Sequence, residues 1–202
     1  NGVRLEDAAF AYSQEISSAL TTISEAAGLV GASHKSACLR VAVTPTLGSV
    51  WFMSFLERMK ESDTGFAVDL SLTTDFHTLT EFTVDIAITS LGMSASQIWT
   101  KSEVVDLCQE QYLPICSPSF LAKVGPLPEP ARIFDHQILV SKFTRQEWFA
   151  WSKMVGVNRP PLEQGVQFDN SLGTYHNALQ GRGFALGEVL SITGALESGE
   201  LV

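Results

Sequence analysis

The stretch Arg40-Val41-Ala42-Val43-Thr44-Pro45-Thr46-Leu47-Gly48-Ser49-Val50-Trp51-Phe52 decides how this chain is read. A run built like a buried strand, Leu39 to Val43, stops at two threonines that flank a proline, and a glycine follows. An amphipathic segment begins near Ser49. A strand that hands over directly to a helix is half of a βαβ unit. The N-terminus of such a helix offers unpaired N–H groups to an anionic or polar ligand. A plain helix start with good caps is the simpler reading of the same residues.

Working outward, the same alternation continues. Val50–Lys60 reads as a helix with Trp51, Phe55, Leu56 and Met59 on one face, and Phe66–Leu72 alternates with the period-two pattern of a strand. A short helix over His77–Phe82 leads to the apolar strand Val84–Ile88. In the second half, Ile98–Leu107 and Gln111–Cys116 look extended, and Pro118, Pro126, Pro128 and Pro130 make an irregular crossing with a turn of helix near Phe120–Val124. Then come a strand at Gln137–Ser141, a helix at Gln146–Val155 carrying Trp148 and Trp151, and a strand at Gln164–Phe168. Ser171–Gln180 is a helix ended by Gly181, Phe184–Leu186 a strand, and Ile192–Ser198 a final helical turn. Strands alternating with helices imply parallel sheets, and their recurrence across a proline-rich crossing implies two α/β lobes with a cleft between them.

Ahead of these lies a different pattern. Ala9, Tyr12, Ile16, Leu20, Ile23 and Ala27 recur at helical a/d spacing, and Gly28 and Gly31 end the run. A helix over 5–31 spans about 40 Å at ~1.5 Å per residue. It reads as a dimerisation helix, with a surface helix on the same domain as the alternative.

Composition bounds the rest. The chain has 202 residues, 45% of them hydrophobic and 17% charged, enough for a proper core. A net charge of −9 suits a phosphate backbone poorly, so these residues alone should not hold DNA tightly. The three cysteines, Cys38, Cys108 and Cys116, form no disulfide framework, and a reducing, cytoplasmic setting is the simplest fit. No run approaches the ~18 apolar residues of a membrane span, and no signal-peptide pattern opens the chain.

Catalytic motifs have no positive support. Asp63-Thr64-Gly65 copies the aspartic-protease triplet, but stands alone in a polar turn without the second carboxylate that chemistry needs. Gly181-Arg182-Gly183 follows a helix instead of a strand, so it reads as a helix C-cap and not a dinucleotide loop. There is no nucleophile elbow and no P-loop. His34, His77, His136 and His176 are too scattered for a metal site. Asp85 is either a perturbed buried acid or a cap at the start of its strand. The chain is therefore expected to be no enzyme, and to use neither a cofactor nor a metal.

Several short motifs, in order, resemble the LysR-type transcriptional regulators, in particular the branch that contains the glycine-cleavage activator and the β-lactamase regulator. Asn1-Gly2-Val3-Arg4-Leu5 resembles the end of a winged helix-turn-helix running into a linker helix. Val84-Asp85-Ile86-Ala87-Ile88 is similar to the family's V-D-[IL]-A-I strand, and Leu113-Pro114-Ile115-Cys116-Ser117-Pro118 to its crossing. Glu147-Trp148 with Trp151, Phe168-Asp169-Asn170-Ser171, and Gln180-Gly181-Arg182-Gly183-Phe184-Ala185-Leu186 carry the likeness to the end of the second lobe. The family often has Arg where Thr89 stands and Pro where Gly187-Glu188 stands.

The resemblance implies a periplasmic-binding-protein-like α/β fold with two lobes joined by crossover strands, preceded by a long linker helix. Residues 1–37 would be the wing end, linker helix and short linker, 38–116 with 187–202 the first lobe, and 117–186 the second. A winged helix-turn-helix would precede residue 1, and further strands and a helix would follow residue 202. The protein would be a homodimer, able to assemble into a tetramer, that contacts DNA through the preceding domain and binds no membrane. A small effector (an amino acid, peptide or organic acid) would sit between the lobes. Thr46 and Ser171 are the strongest expected effector contacts, then Thr44, Leu47, Phe168 and Asn170, with Asp85, Thr89 and Ser90 at the end of a neighbouring strand. Trp148 and Trp151 would either wall the cleft or belong to the core. A solute-binding protein of a transport system has the same two-lobe fold and is the alternative.

Overall fold

The computed structural model describes residues 38–60, 67–76, 79, 83–89 and 103–202. The expected dimerisation helix, including Ala9, Tyr12, Ile16, Leu20, Ile23 and Ala27, lies outside these residues, as do Ser90, most of the helix expected at His77–Phe82 and the first part of the strand expected at Ile98–Leu107.

The opening stretch folds as a βα unit. β1 (Cys38–Val43) is the middle strand of a parallel three-stranded sheet, between β2 (Ala67–Leu72) and β3 (Ile86–Ile88). Its last residues are the most deeply covered: Val41 is 1% exposed, and Ala42 and Val43 are 0% exposed. A central strand covered on both faces tolerates a continuous apolar run, which is why Val41-Ala42-Val43 does not alternate. Val43 is in register with Leu72 on one side and Ile88 on the other.

The helix that follows, α1, starts earlier than its apolar spacing suggests. Thr46 is already helical (φ −68°, ψ −52°), and the Gly48 N–H donates to the Thr44 carbonyl at 2.8 Å. A π-helical segment, Leu47–Phe52, runs into the α-helix Met53–Lys60. Gly48 is where this helix comes closest to the sheet. A Cβ there would lie 2.6 Å from Val43 Cγ1 and 2.4 Å from Leu72 Cδ2, so only glycine lets α1 approach.

A second sheet holds the other half. β5 (Leu139–Ser141) and β6 (Val166–Phe168) are parallel, β4 (Tyr112–Ile115) and β7 (Ala185–Glu188) antiparallel, and a parallel bridge between Ile138 and Phe184 joins the two pairs. Successive residues point to opposite faces. Ile138, Val140, Phe184 and Leu186 enter a core with Trp148 and Phe134, while Leu139 and Ala185 enter another with Tyr175, Ala178, Ile192, Ala195 and Leu201. α2 (Pro118–Val124) and α3 (Arg145–Met154) cover the first face, and α4 (Ser171–Leu179) and α5 (Val189–Glu197) the second. α5 also packs against the π-helical part of α1, and Val50 joins its core, so 187–202 contacts both halves.

Several expectations need correcting. Residues 103–107 form no strand; Val104, Val105 and Leu107 are 56%, 68% and 61% exposed and pair with nothing described. Two apolar residues between Glu103 and Asp106 give a strand-like run, but no strand among the described residues receives it. The crossing gains a 3-10 turn at Pro130–Asp135 that buries Ile133 and Phe134. The last helix begins at Val189, because the Glu188 carboxylate caps it, accepting from Leu190 and Ser191 N–H at 3.0 and 2.9 Å. Glutamate is not among the favoured N-caps, so that start carries little sequence signal. Gly181, at φ +70°, follows the C-cap Gln180 in the left-handed conformation that ends α4, so the Gly181-Arg182-Gly183 triplet is a turn.

Two outcomes follow from this packing. Gly48→Ala forces α1 off the stiff Val43 side chain and should cost about 1–3 kcal/mol in urea unfolding; an unchanged midpoint would show that α1 does not approach the sheet this closely. Cys116 is buried, which pushes its thiol up to about 11, whereas Cys108 is exposed. Iodoacetamide at about pH 8 should therefore modify Cys108 in the folded protein and Cys116 only after unfolding, as mass spectrometry would read, because the thiolate is the reacting form. Equal rates would contradict the packing of Cys116.

Candidate functional site

Parallel strands place their carboxyl ends together, and in open α/β sheets ligands bind outside those ends, where the strand order reverses. In the first sheet the order is β2-β1-β3, so the reversal lies at β1 and β3. One step beyond the row of Leu72, Val43 and Ile88, the chain places Thr73, Thr44 and Thr89 along this edge. Thr73 is occupied: its Oγ1 accepts the Asp75 N–H at 3.0 Å. Among the described residues, the hydroxyls of Thr44, Thr46 and Thr89 have no hydrogen-bond partner. Thr46 makes no side-chain cap, so capping does not account for it. The N–H groups of Thr46 and Leu47 lie ahead of the first intrahelical bond, that of Gly48, and have no partner among the described residues.

The second sheet repeats the motif. Ser141 and Phe168 are in register at the ends of β5 and β6, and the chain passes through Asp169 and Asn170 into α4. Asn170 is the N-cap, its Oδ1 accepting the Gly173 N–H at 3.2 Å. The Ser171 and Leu172 N–H groups precede that bond. Ser171 Oγ lies 3.0 Å from Ser141 Oγ, which lies 3.0 Å from Thr144 Oγ1. Beside them Lys142 and Asp169 form an ion pair at 2.6 Å, and the ammonium holds the Asp169 carboxyl below its usual range. The Phe168 ring lies against Gly173 and packs with Leu172 on the core that also takes Val50 of α1. The two helix openings are thus anchored on one apolar cluster.

Thr44, Thr46, Leu47 and Thr89 therefore share the carboxyl edge of the first sheet, and Phe168, Asn170 and Ser171 the corresponding edge of the second. Asp85 does not join them. It precedes β3 at the opposite end of the sheet, about four residues or roughly 13 Å from Thr44 at the rise of a strand. Its carboxylate accepts the Arg40 N–H at 2.8 Å and pairs with the Arg40 guanidinium at 2.7 Å. It is the strand-start clamp, tying β1 to β3. Trp148 is 0% exposed, donates its indole N–H to the Leu139 carbonyl at 3.3 Å and meets Trp151 edge-on, so this pair builds the core and not the cleft wall. The sequence reading missed Ser141 and Thr144, whose only trace is a Ser-x-x-Thr spacing at the end of a strand. Among the described residues, no cluster of His, Cys, Asp and Glu is placed to hold a metal ion, and no helix is long and apolar enough to cross a membrane.

Comparison with known proteins accords with this geometry. The family model "LysR substrate binding domain" matches residues 32–202. The glycine cleavage system transcriptional activator of Escherichia coli K12 is 25% identical over 191 residues, 95% of this chain but 61% of that protein, so the chain spans under two thirds of that relative. The HTH-type transcriptional activator AmpR of Enterobacter cloacae is 32% identical over 105 residues, 52% of this chain and 35% of that protein. Among solved structures, the AmpR effector binding domain from Citrobacter freundii superposes with a TM-score of 0.64 at 24% identity, over 83% of this chain and 80% of that one. CrgA, a LysR-type transcriptional regulator from Neisseria meningitidis, gives 0.60 at 17% identity over 98% of this chain and 67% of that one. The chain has the two-lobe periplasmic-binding-protein-like α/β fold of these domains, and it belongs to the LysR substrate binding domain family.

Proposed function

We propose that this chain is the effector-sensing part of a LysR-type DNA-binding transcriptional regulator, and that a small polar or anionic metabolite binds between the lobes, against Thr44, Thr46, Leu47 and Thr89 on one side and Phe168, Asn170 and Ser171 on the other. The observation that carries this reading is Thr46. Its hydroxyl and N–H, with the Leu47 N–H, have no partner among the described residues and sit at the positive end of α1, at the strand reversal of the first sheet. Residues 38–116 with 187–202 form one lobe and 117–186 the other, with α5 as the shared element. The ligand fits one hinge state better than the other and shifts the balance between them; a difference of about 1–3 kcal/mol is an ordinary coupling. Residues 1–37 supply the dimer contact, and DNA is bound through a domain preceding them, in a cytoplasmic homodimer or tetramer. The relatives that match are transcriptional activators, which favours this reading over a transport solute-binding protein.

Titration of amino acids, short peptides and organic acids, followed by tryptophan emission and melting temperature, tests the site. A ligand that raises the melting temperature of the wild type should bind Thr46→Val about tenfold more weakly, the worth of one hydrogen bond of ~1.4 kcal/mol. Asp85→Asn should lower stability but leave the affinity unchanged. A Thr46→Val response equal to wild type, or a lost response in Asp85→Asn, would move the site elsewhere.

A further inference from the structure

Behind Ser171 lies a buried set of hydroxyls whose hydrogen bonds have only one consistent direction. Thr144 is 1% exposed and Ser141 0% exposed, so neither hydroxyl proton can turn to water. Thr144 Oγ1 already accepts the Ser141 N–H at 3.3 Å. Among the described residues, the one acceptor within reach of its own proton is Ser141 Oγ, at 3.0 Å. Ser141 Oγ also takes the Thr144 N–H at 3.0 Å, a proton shared with the Ser141 carbonyl at 3.3 Å. A hydroxyl oxygen has two lone pairs and one proton. With both lone pairs used, Ser141 cannot accept from Ser171 and must donate to it, across the 3.0 Å between their oxygens. The reverse direction leaves a buried hydroxyl proton unpaired, which folded proteins avoid.

We infer that Thr144 and Ser141 are positioning residues that fill one lone pair of Ser171 and leave its proton free, so that Ser171, beside the N–H groups of the α4 opening, meets an oxygen acceptor, a carboxylate or carbonyl, in preference to an ammonium. Ser171 accepts from Ser141, and its own proton has no acceptor among the described residues. The chain Thr144 to Ser141 to Ser171 runs one way, so each bond polarises the next toward the ligand. The Ser171 and Leu172 N–H groups at the opening of α4, without a partner among the described residues, favour the same kind of group. The inference rests on Ser171 belonging to the effector site.

Two measurements test it separately. Hydroxyl-proton NMR of the chain at low temperature should show slowly exchanging protons on Thr144 and Ser141 and a fast one on Ser171; a protected Ser171 hydroxyl overturns the relay, whatever binds. Amide shifts of Ser171 and Leu172 are then followed during titration with sodium acetate and, at matched ionic strength, methylammonium chloride. Acetate should shift them saturably, with methylammonium at least tenfold weaker. Thr144→Val, which removes the proton that sets the direction, should narrow that preference several-fold, and Thr144→Ser should keep it. A preference unchanged in Thr144→Val reduces the relay to a packing feature and overturns the inference. Protected Thr144 and Ser141 hydroxyls together with no acetate response at Ser171 would instead overturn the placement of the effector there.

Discussion

The structure depends on the pairing of Val43 with a strand on each side. Because β1 is central and its end is fully covered, its exit point is fixed by Leu72 on one side and Ile88 on the other. Pro45 and Thr46 then have to start a helix at once, and Gly48 lets that helix settle onto the sheet. Everything proposed at the first lobe follows from that placement. The amide groups of Thr46 and Leu47 find no partner among the described residues because the helix begins where the strand stops. Asp85 and Arg40 secure the other end of the same strand, which keeps this charged pair away from the edge proposed to bind the effector.

The second lobe solves the same problem with different parts. β5 and β6 end together, Asn170 caps α4, and Ser171 follows one residue inside the helix. Here the hydroxyl is not left loose as at Thr46 but is held from behind by two buried hydroxyls. The contrast fits a two-lobe sensor in which one side recognises through a preset donor and the other adapts, since a preset group limits which ligand atoms are accepted while a loose one adjusts to the hinge angle. α5 belongs to both sides, through its core with Tyr175 and its contact with α1. A change of lobe angle must pass through that packing.

Much of this was legible in the residues. The buried run Val41-Ala42-Val43 reads as a central strand because it does not alternate, and Trp148 with Trp151 reads as a helix face; both follow from period alone. The start of α1 was misplaced because apolar spacing marks where a helix packs, not where its backbone turns, and the π-helical segment shifts the register besides. Asp85 was grouped with the edge residues because it neighbours Thr89 in sequence, whereas a strand separates them in space. Ser141 and Thr144 carried almost no signal, since their role depends on Ser171, thirty residues further along than Ser141. The start of α5 was hidden because Glu188 takes a capping role that its side chain seldom fills.

The account turns on the two helix openings addressing one ligand. Its most direct test is to follow the amide resonances of Thr46, Leu47, Ser171 and Leu172 together while a bound effector is titrated into the chain. One saturation curve with one dissociation constant at all of them is the predicted result. Shifts confined to a single opening, or two curves with separate constants, would contradict it.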